Sequence, residues 1–442
     1  MKVSRLPVEA GPAAWNDLIE GDKSAVPLAS DTIADFLIIG AGFAGLSAAR
    51  RIMQLNSKAR VVVLDALRVG EGAAGRNSGF MIDLPHELSS ADYATTLDKD
   101  RNQIELNRLA ISFAREASIE YGMNSEAFDP CGKYNGAAGD GAHQHNLDYA
   151  RHLEELCEPY QLLDAGQMRD LTGSSFYKSG LYTPGSVLLQ PAAYVRALAN
   201  GMRNRISIFE NSPVTALSRS NGEWCGQTRH GSVRAKTVIL ATNGHIESFG
   251  FFKRQIFHVI LYASMTRALA PDEKAVTGEA KWGITPSDPS ATTMRKFSGK
   301  GGTRIITRNQ MSYAPNLQIR ESYLQTIAER HRVSFTKRYP TLQDVEQEFV
   351  WSGRLCMSRN SAPAFGKLED GLYAAACQNG LGTTKGTLAG MAAAELACEG
   401  ETPLVKSILA QGKPTKLPPA PLDSIGANAF MHWGQFKARR EI

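Results

Sequence analysis

The sequence predicts an α/β protein: a Rossmann-like nucleotide-binding domain built on a parallel sheet, joined to a second domain of mixed β-sheet plus helices. Three observations predict it. "ADFLIIG", "AGFAGLSAARRIMQLN" and "ARVVVLDA" read in order as buried strand, helix and buried strand, a βαβ unit of the usual ~30-residue size. A glycine-rich turn stands between its first strand and its helix. The stretch 251–312 is β-rich with Pro and Gly breaks, and helical patterns flank it, so strands and helices recur outside the unit.

Length and composition agree. A chain of 442 residues suggests two to three domains at ~150 residues each. Hydrophobic residues make up 43% and charged residues 21%, which excludes a disordered chain. The net charge of +5, from 49 Lys+Arg against 44 Asp+Glu, is too slight for a nucleic-acid footprint. It leaves a modest attraction for anionic substrates.

The remaining elements follow in order. Residues 91–126 carry an amphipathic helical pattern, and "HNLDYARHLEELCEPY" reads as another helix. "SSFYKSGLYTPGSVLLQP" reads as strand and loop, "AAYVRALANGM" as a helix, and "RISIFENSPVTALSRS", "GEWCGQTRHGS" and "RAKTVILATNG" as strands separated by turns. Residues 316–350 return to helix. "GLYAAACQNGLGTTKGTLAGMAAAELACEG" gives a strand, a glycine loop and a long helix of small residues, and a Pro-rich tail from 401 is expected to wrap the surface.

Gly40-Ala-Gly42-Phe43-Ala44-Gly45 is a G-x-G-x-x-G, and Asp65 ends the next strand 25 residues later. Gly40 permits the tight turn, Gly42 lets backbone N–H groups approach a pyrophosphate, and Gly45 lets helix and sheet pack closely. The helix N-terminus offers its positive dipole end to the phosphates, and Asp65 accepts from the ribose hydroxyls. This is a dinucleotide site. No second such motif and no C-x-x-x-x-C pair follows, which argues against a disulfide reductase.

The six cysteines (131, 157, 225, 356, 377 and 398) include no C-x-x-C, so neither a disulfide scaffold nor a zinc site is expected. His143 and His145 read as a solvated loop pair, and no metal is expected. The first residues lack the apolar core of a signal peptide, and the run Ile33 to Ala49 is broken by Asp35. A reducing, cytoplasmic location without membrane insertion is the expectation.

After Asp65 comes Ala66 and then Gly72-Ala-Ala-Gly75-Arg76-Asn77-Ser78-Gly79. This resembles the flavin-facing loop of the D-amino-acid-oxidase-like (DAO) flavoproteins, with small-for-small changes at two positions. "TVILATNGH", with Thr242, Asn243 and Gly244, is similar to that family's return strand. The segment from Trp351, through "QNGLGTT" with Gly380, Leu381, Gly382, Thr383 and Thr384, is similar to its closing segment. Among its members, the N-terminal lead with Trp15 resembles the γ-glutamylputrescine-oxidase-like ones, beside a likeness to glycine/sarcosine-oxidase-like ones. The resemblance implies a DAO/glutathione-reductase-like fold and FAD as cofactor, with Val214 also at the nucleotide. It divides the chain into FAD-binding segments 30–100, 186–247 and 348–400, substrate-domain segments 101–185 and 248–347, and an extension 401–442.

The resemblance further implies oxidation of a C–N bond in a small amine or amino acid, with hydride passing to flavin N5 and the imine hydrolysing to a carbonyl compound. The cofactor carries the chemistry, so no catalytic residue stands out. Candidate substrate contacts are Arg254, His258 and Tyr262 in "FKRQIFHVILYASM", where alternation puts His258 and Tyr262 on one strand face. An arginine or tyrosine there suits a substrate carboxylate. His86 or Asp83 in "FMIDLPHEL", and Gln378 and Asn379 before the closing helix, are further pocket candidates. Sarcosine-oxidase-like members carry an oxygen-activating lysine on the strand matched to "TRIITRN", which here has Arg304 and Arg308 and no lysine between them. They also bond a cysteine covalently to flavin where Cys356 stands. Non-covalent FAD is the expectation here. Two other readings remain: a flavin-binding subunit of a larger complex, and a tRNA-modifying flavoprotein of the same fold.

Overall fold

We describe the fold from a computed structural model covering residues 1–19, 25–85, 94–318, 321–419, 421–438 and 441–442. The run Thr32–Ile39, with four buried residues at its end, forms the centre of the first sheet. It pairs in parallel with Val61–Leu64 on one side and Ser232–Leu240 on the other. The sheet continues through Ser207–Phe209 at one side and Leu372–Ala376 and Ala364–Glu369 at the other. Strands buried on both faces need helices on both sides or a second layer. Here Phe43–Leu55 and Thr384–Cys398 supply one layer, and they pack so closely that a Cβ on Gly390 would stand 2.1 Å from Ala44 O.

The second sheet runs Phe349–Met357, Phe257–Met265, Gly302–Tyr313, Thr293–Gly299, Trp282–Pro286, Lys133–Ala137, Ser179–Thr183 and Gln161–Leu163. Its pairs are antiparallel except that Trp282–Pro286 runs parallel to Lys133–Ala137. Helix Tyr323–Arg338 covers one face, with Leu324 and Ile327 against Ile260 and Tyr262.

The packing divides two of the expected segments differently. Phe349–Met357 pairs with Phe257–Met265, so the segment 348–400 begins in the second sheet and only its later strands and helix join the first. Helix Leu97–Glu120 buries Leu106, Ala110 and Phe113 in the core of the nucleotide-binding layer, so the start of the expected substrate-domain segment 101–185 packs there. The tail contains two helices, Pro403–Leu409 and Leu422–Lys437. It does lie over the second domain: the Glu441 carboxylate accepts from Ala138 N (2.9 Å), and Arg338 donates to Glu441 O (2.7 Å). His143 and His145 sit in helix Asp140–Glu155, where His143 Nδ1 meets Ser179 Oγ at 2.8 Å; neither is in a loop.

The helix pair gives a stability test. Gly390→Leu drives a side chain into the backbone of the facing helix, an overpacking cost of ~1–3 kcal/mol or more. Thermal unfolding should show a melting midpoint several degrees below wild type.

Candidate functional site

A single extended cavity runs from the end of the first sheet to the inner wall of the second. At its nucleotide end Gly40 has φ +107°, and a Cβ there would stand 2.6 Å from Ala241 O. A Cβ on Gly45 would stand 1.7 Å from Gly40 O. Both glycines are therefore required by the protein's own backbone. Gly42 differs: a Cβ there would meet only Ala74 Cβ, at 3.5 Å. The protein leaves room at Gly42, and the room belongs to the cavity. Helix Phe43–Leu55 begins here with no side-chain cap, so its first N–H groups are open to an anion.

Asp65 closes this end. Its carboxylate accepts from Ala41 N (2.6 Å) and Leu67 N (2.9 Å). Burial outweighs those bonds and pushes its pKa up to about 6.

The loop 70–79 forms the middle of the cavity, and one guanidinium holds it. Arg76 donates to Glu71 O (2.7 Å), Ala10 O (3.1 Å), Ser352 O (3.0 Å) and Gly11 O (3.0 Å). Two indoles hold the same stretch from outside, Trp15 on Asn77 O (2.8 Å) and Trp351 on Arg76 O (3.0 Å). Asn77 closes the turn itself, donating to Ala74 O (2.7 Å) and accepting from Gly79 N (2.8 Å). Opposite, Thr383 donates to Phe80 O (2.6 Å) and Thr384 to Ile82 O (3.1 Å). These bonds seat the N-terminus of helix Thr384–Cys398 beside the loop.

The second sheet supplies the far wall with Leu261, Thr285, Thr293 and Arg308. Arg308 is half-buried and pairs in register with Ala263 and Thr293. The N-terminal lead adds Arg5 and Glu9. Glu9 lies 2.9 Å from Arg354 and 3.7 Å from Arg76, and burial raises its pKa despite both cations. His245 also lines the cavity, and neither ring nitrogen has a partner among the described residues. Burial, reinforced by Arg354, holds its pKa down to about 3, so the ring is neutral.

The family profile described as "FAD dependent oxidoreductase" (DAO) matches residues 35–396. The chain belongs to the DAO family. "Probable oxidoreductase OrdL" of Haemophilus influenzae is 27% identical over 386 residues, covering 84% of each chain. Gamma-glutamylputrescine oxidoreductase of Escherichia coli is 23% identical over 379 residues, covering 82% of this chain and 83% of that one. The crystal structure of glycine oxidase from Geobacillus kaustophilus superposes with a TM-score of 0.70 at 17% identity, over 88% of this chain and all of that one. This DAO protein is an FAD-dependent oxidoreductase.

Its residues fit the cofactor. Beyond the room at Gly42, a Cβ on Gly382 would meet nothing within 4 Å. The buried hydroxyls of Thr242 and Thr293, both on the cavity wall, have no partner among the described residues. Every residue expected at FAD lines the cavity except Gly45, Gly75 and Thr384, which stand behind it. Gly75 is needed for the loop itself, since a Cβ there would lie 1.8 Å from Gly70 O. Arg76 is on the wall, but its guanidinium is spent on backbone carbonyls, so it shapes the loop.

The expected substrate residues divide. His258 and Gln378 line the cavity. His258 Nε2 is held by Glu247 Oε2 at 2.6 Å, and Gln378 donates to Ala375 O (3.2 Å). Tyr262 contributes to the wall, but its ring packs on Tyr323 and its hydroxyl donates to Ser312 Oγ (3.0 Å). Arg254 does not reach the cavity. It precedes the strand in a turn with φ +57°, is exposed, and donates to Leu417 O. Asn379 is spent on Ser358 N (2.8 Å) and Ser361 O (2.9 Å), and Asp83 on Ser186 and Arg108. His86 lies outside the described residues.

Cys356 is buried, and its thiol donates to Asn243 Oδ1 (3.0 Å). Contact with Cys377 and burial hold its pKa well up, which opposes the thiolate that attachment requires. Leu355, its strand neighbour, takes the cavity side. Arg304 is tied to Thr266 O (2.7 Å) and Glu348, away from the cavity. Sequence reasoning misses His245, Thr285, Thr293 and Glu9, and it marks Arg308 only as standing on the strand matched to the lysine-bearing one. His245 alone had a local signal, directly after "ATNG".

Two outcomes test the cofactor end. Gly42→Val should leave the far-UV circular dichroism unchanged but abolish bound flavin absorbance, because the side chain enters ligand space. FAD affinity should also fall, by up to about tenfold, as pH drops from 7 to 5. The expected role of Asp65 as acceptor for the ribose hydroxyls requires its ionised carboxylate, and it protonates through about pH 6. Equilibrium dialysis of apoprotein with FAD measures it.

Proposed function

We propose that the protein oxidises a small amine or amino acid that carries a carboxylate. The observation that carries this reading is Arg308, a half-buried arginine among the residues of the second sheet that line the far wall of the FAD cavity. A guanidinium binds a carboxylate bidentately and so fixes both position and direction of a small substrate. The relatives support the amine part, since one is named for γ-glutamylputrescine and a structural neighbour is a glycine oxidase.

Bound FAD supplies the hydride acceptor for the carbon next to nitrogen. The chain does the rest. Arg308 would hold the carboxylate, and Leu261, Phe80, Ile82 and Leu381 surround the space with apolar surface. That surface excludes water and disfavours an ammonium, so it favours the neutral amine from which hydride can leave. The N–H groups at Gly382 and Thr383, at the start of helix Thr384–Cys398, offer a positive dipole end to negative charge developing beside them. The imine product hydrolyses in water to a carbonyl compound.

Arg308→Met tests the reading. Anaerobic flavin reduction by the best amino-acid substrate should show an apparent Kd at least ~30-fold higher, the loss of a charged bidentate contact of about 2–3 kcal/mol. Reduction by the matching amine without a carboxylate should change little. Equal loss with both substrates would reject the carboxylate assignment.

A further inference from the structure

Lys133 is 3% exposed on the strand Lys133–Ala137 and makes no ion pair among the described residues. Its ammonium donates to two acceptors, Asn135 Oδ1 and Thr285 Oγ1 (3.2 Å). Asp83 is the charged group acting on it, and Asp83 is already engaged by Arg108 (3.3 Å) and by Ser186 (3.1 Å). Around its strand, helix Asp140–Glu155 brings His143 (bonded to Ser179) and strand Ser179–Thr183 brings Tyr182, while Arg108 of helix Leu97–Glu120 pairs with Asp83. Lys296 is buried to the same extent, but it donates to two backbone carbonyls, Thr277 O and Gly278 O.

A buried lysine of the Lys133 kind is expensive, and a Met of similar volume would fill the space without desolvating a charge. Burial pulls its pKa down to about 8. Its second acceptor, Thr285, lines the FAD cavity beside Thr293 and Arg308. One residue, Thr285, therefore stands between a buried amine and the proposed substrate space.

We propose that Lys133 takes up, through the Thr285 hydroxyl, the proton that an ammonium substrate must lose before its carbon can give up hydride. The inference rests on the amine reading above. The substrate N–H bond breaks and its proton goes to Thr285 Oγ1. Thr285 turns its own proton from Asn135 Oδ1, which it now meets at 2.8 Å, to the lone pair of neutral Lys133 Nζ. The products of this step are a neutral substrate amine and a lysine ammonium. No electrons are transferred, and the lysine later returns its proton to water. Lys133 touches neither substrate nor cofactor; it serves the reaction through Thr285.

The test is anaerobic stopped-flow reduction of the FAD-loaded protein by its best amine substrate from pH 6 to 10. Wild type should show a limiting rate that rises about tenfold per pH unit up to about 8 and then levels. In Lys133→Met and Thr285→Val the limiting rate at pH 7 should fall at least tenfold and the limb near pH 8 should vanish, with apparent Kd little changed. Thr285→Ser should keep the wild-type profile. A second readout uses unloaded protein: a lowered lysine pKa means that stability is lost as pH falls from about 10.5 to about 8. The wild-type melting midpoint should therefore drop relative to Lys133→Met across that window. Profiles of Lys133→Met that superimpose on wild type, or no difference in melting across the window, would overturn the inference alone. Failure of every amine to reduce wild-type flavin would overturn the amine reading and this inference with it.

Discussion

The site depends on the buried guanidinium of Arg76. It reaches four backbone carbonyls contributed by three separate parts of the chain: the N-terminal lead, the loop 70–79 and the strand Phe349–Met357. A loop of glycines and alanines has little side-chain packing of its own, and its backbone freedom is costly to remove. Arg76, Trp15 and Trp351 remove it from outside. The loop can then offer small residues and backbone groups to a ligand while remaining fixed. The arrangement also makes the FAD site a joint product of both sheets, since Ser352 belongs to the second.

The charge balance follows from the same constraint. Arg76 and Arg354 share Glu9, a carboxylate on the lead outside the family match. Two cations to one anion leave the wall positive, beside a neutral His245. With Arg308 further along, the cavity carries an excess of cations, which suits the phosphates of FAD and the carboxylate proposed for the substrate.

Much of this was legible from sequence where the determinants were local. The βαβ unit, its three glycines and Asp65 lie within one short stretch, and each has a local reason for its residue type. The closing glycine loop and helix were legible for the same reason. Positions that depend on strand parity and sheet order were not. Arg254 falls three residues before its strand begins, in a turn where Phe252 and Arg254 both have positive φ, and no pattern marked that start. Cys356 and Leu355 differ by one place, which decides which of them meets the cavity. Lys133 reaches Thr285 only because Lys133–Ala137 pairs with Trp282–Pro286, a contact between residues about 150 apart. Helix Asp140–Glu155 was hidden at its start by Gly139 and Gly141, which read as loop.

The most direct measurement is FAD bound per chain in Arg76→Met, taken from the flavin absorbance of purified protein. Methionine fills part of the same space but donates to none of the four carbonyls. The loop should then lose its seat while both sheets persist, so the variant should keep its far-UV circular dichroism and lose most of its FAD. A folded Arg76→Met that retains one FAD per chain would contradict the claim that this guanidinium builds the cofactor site.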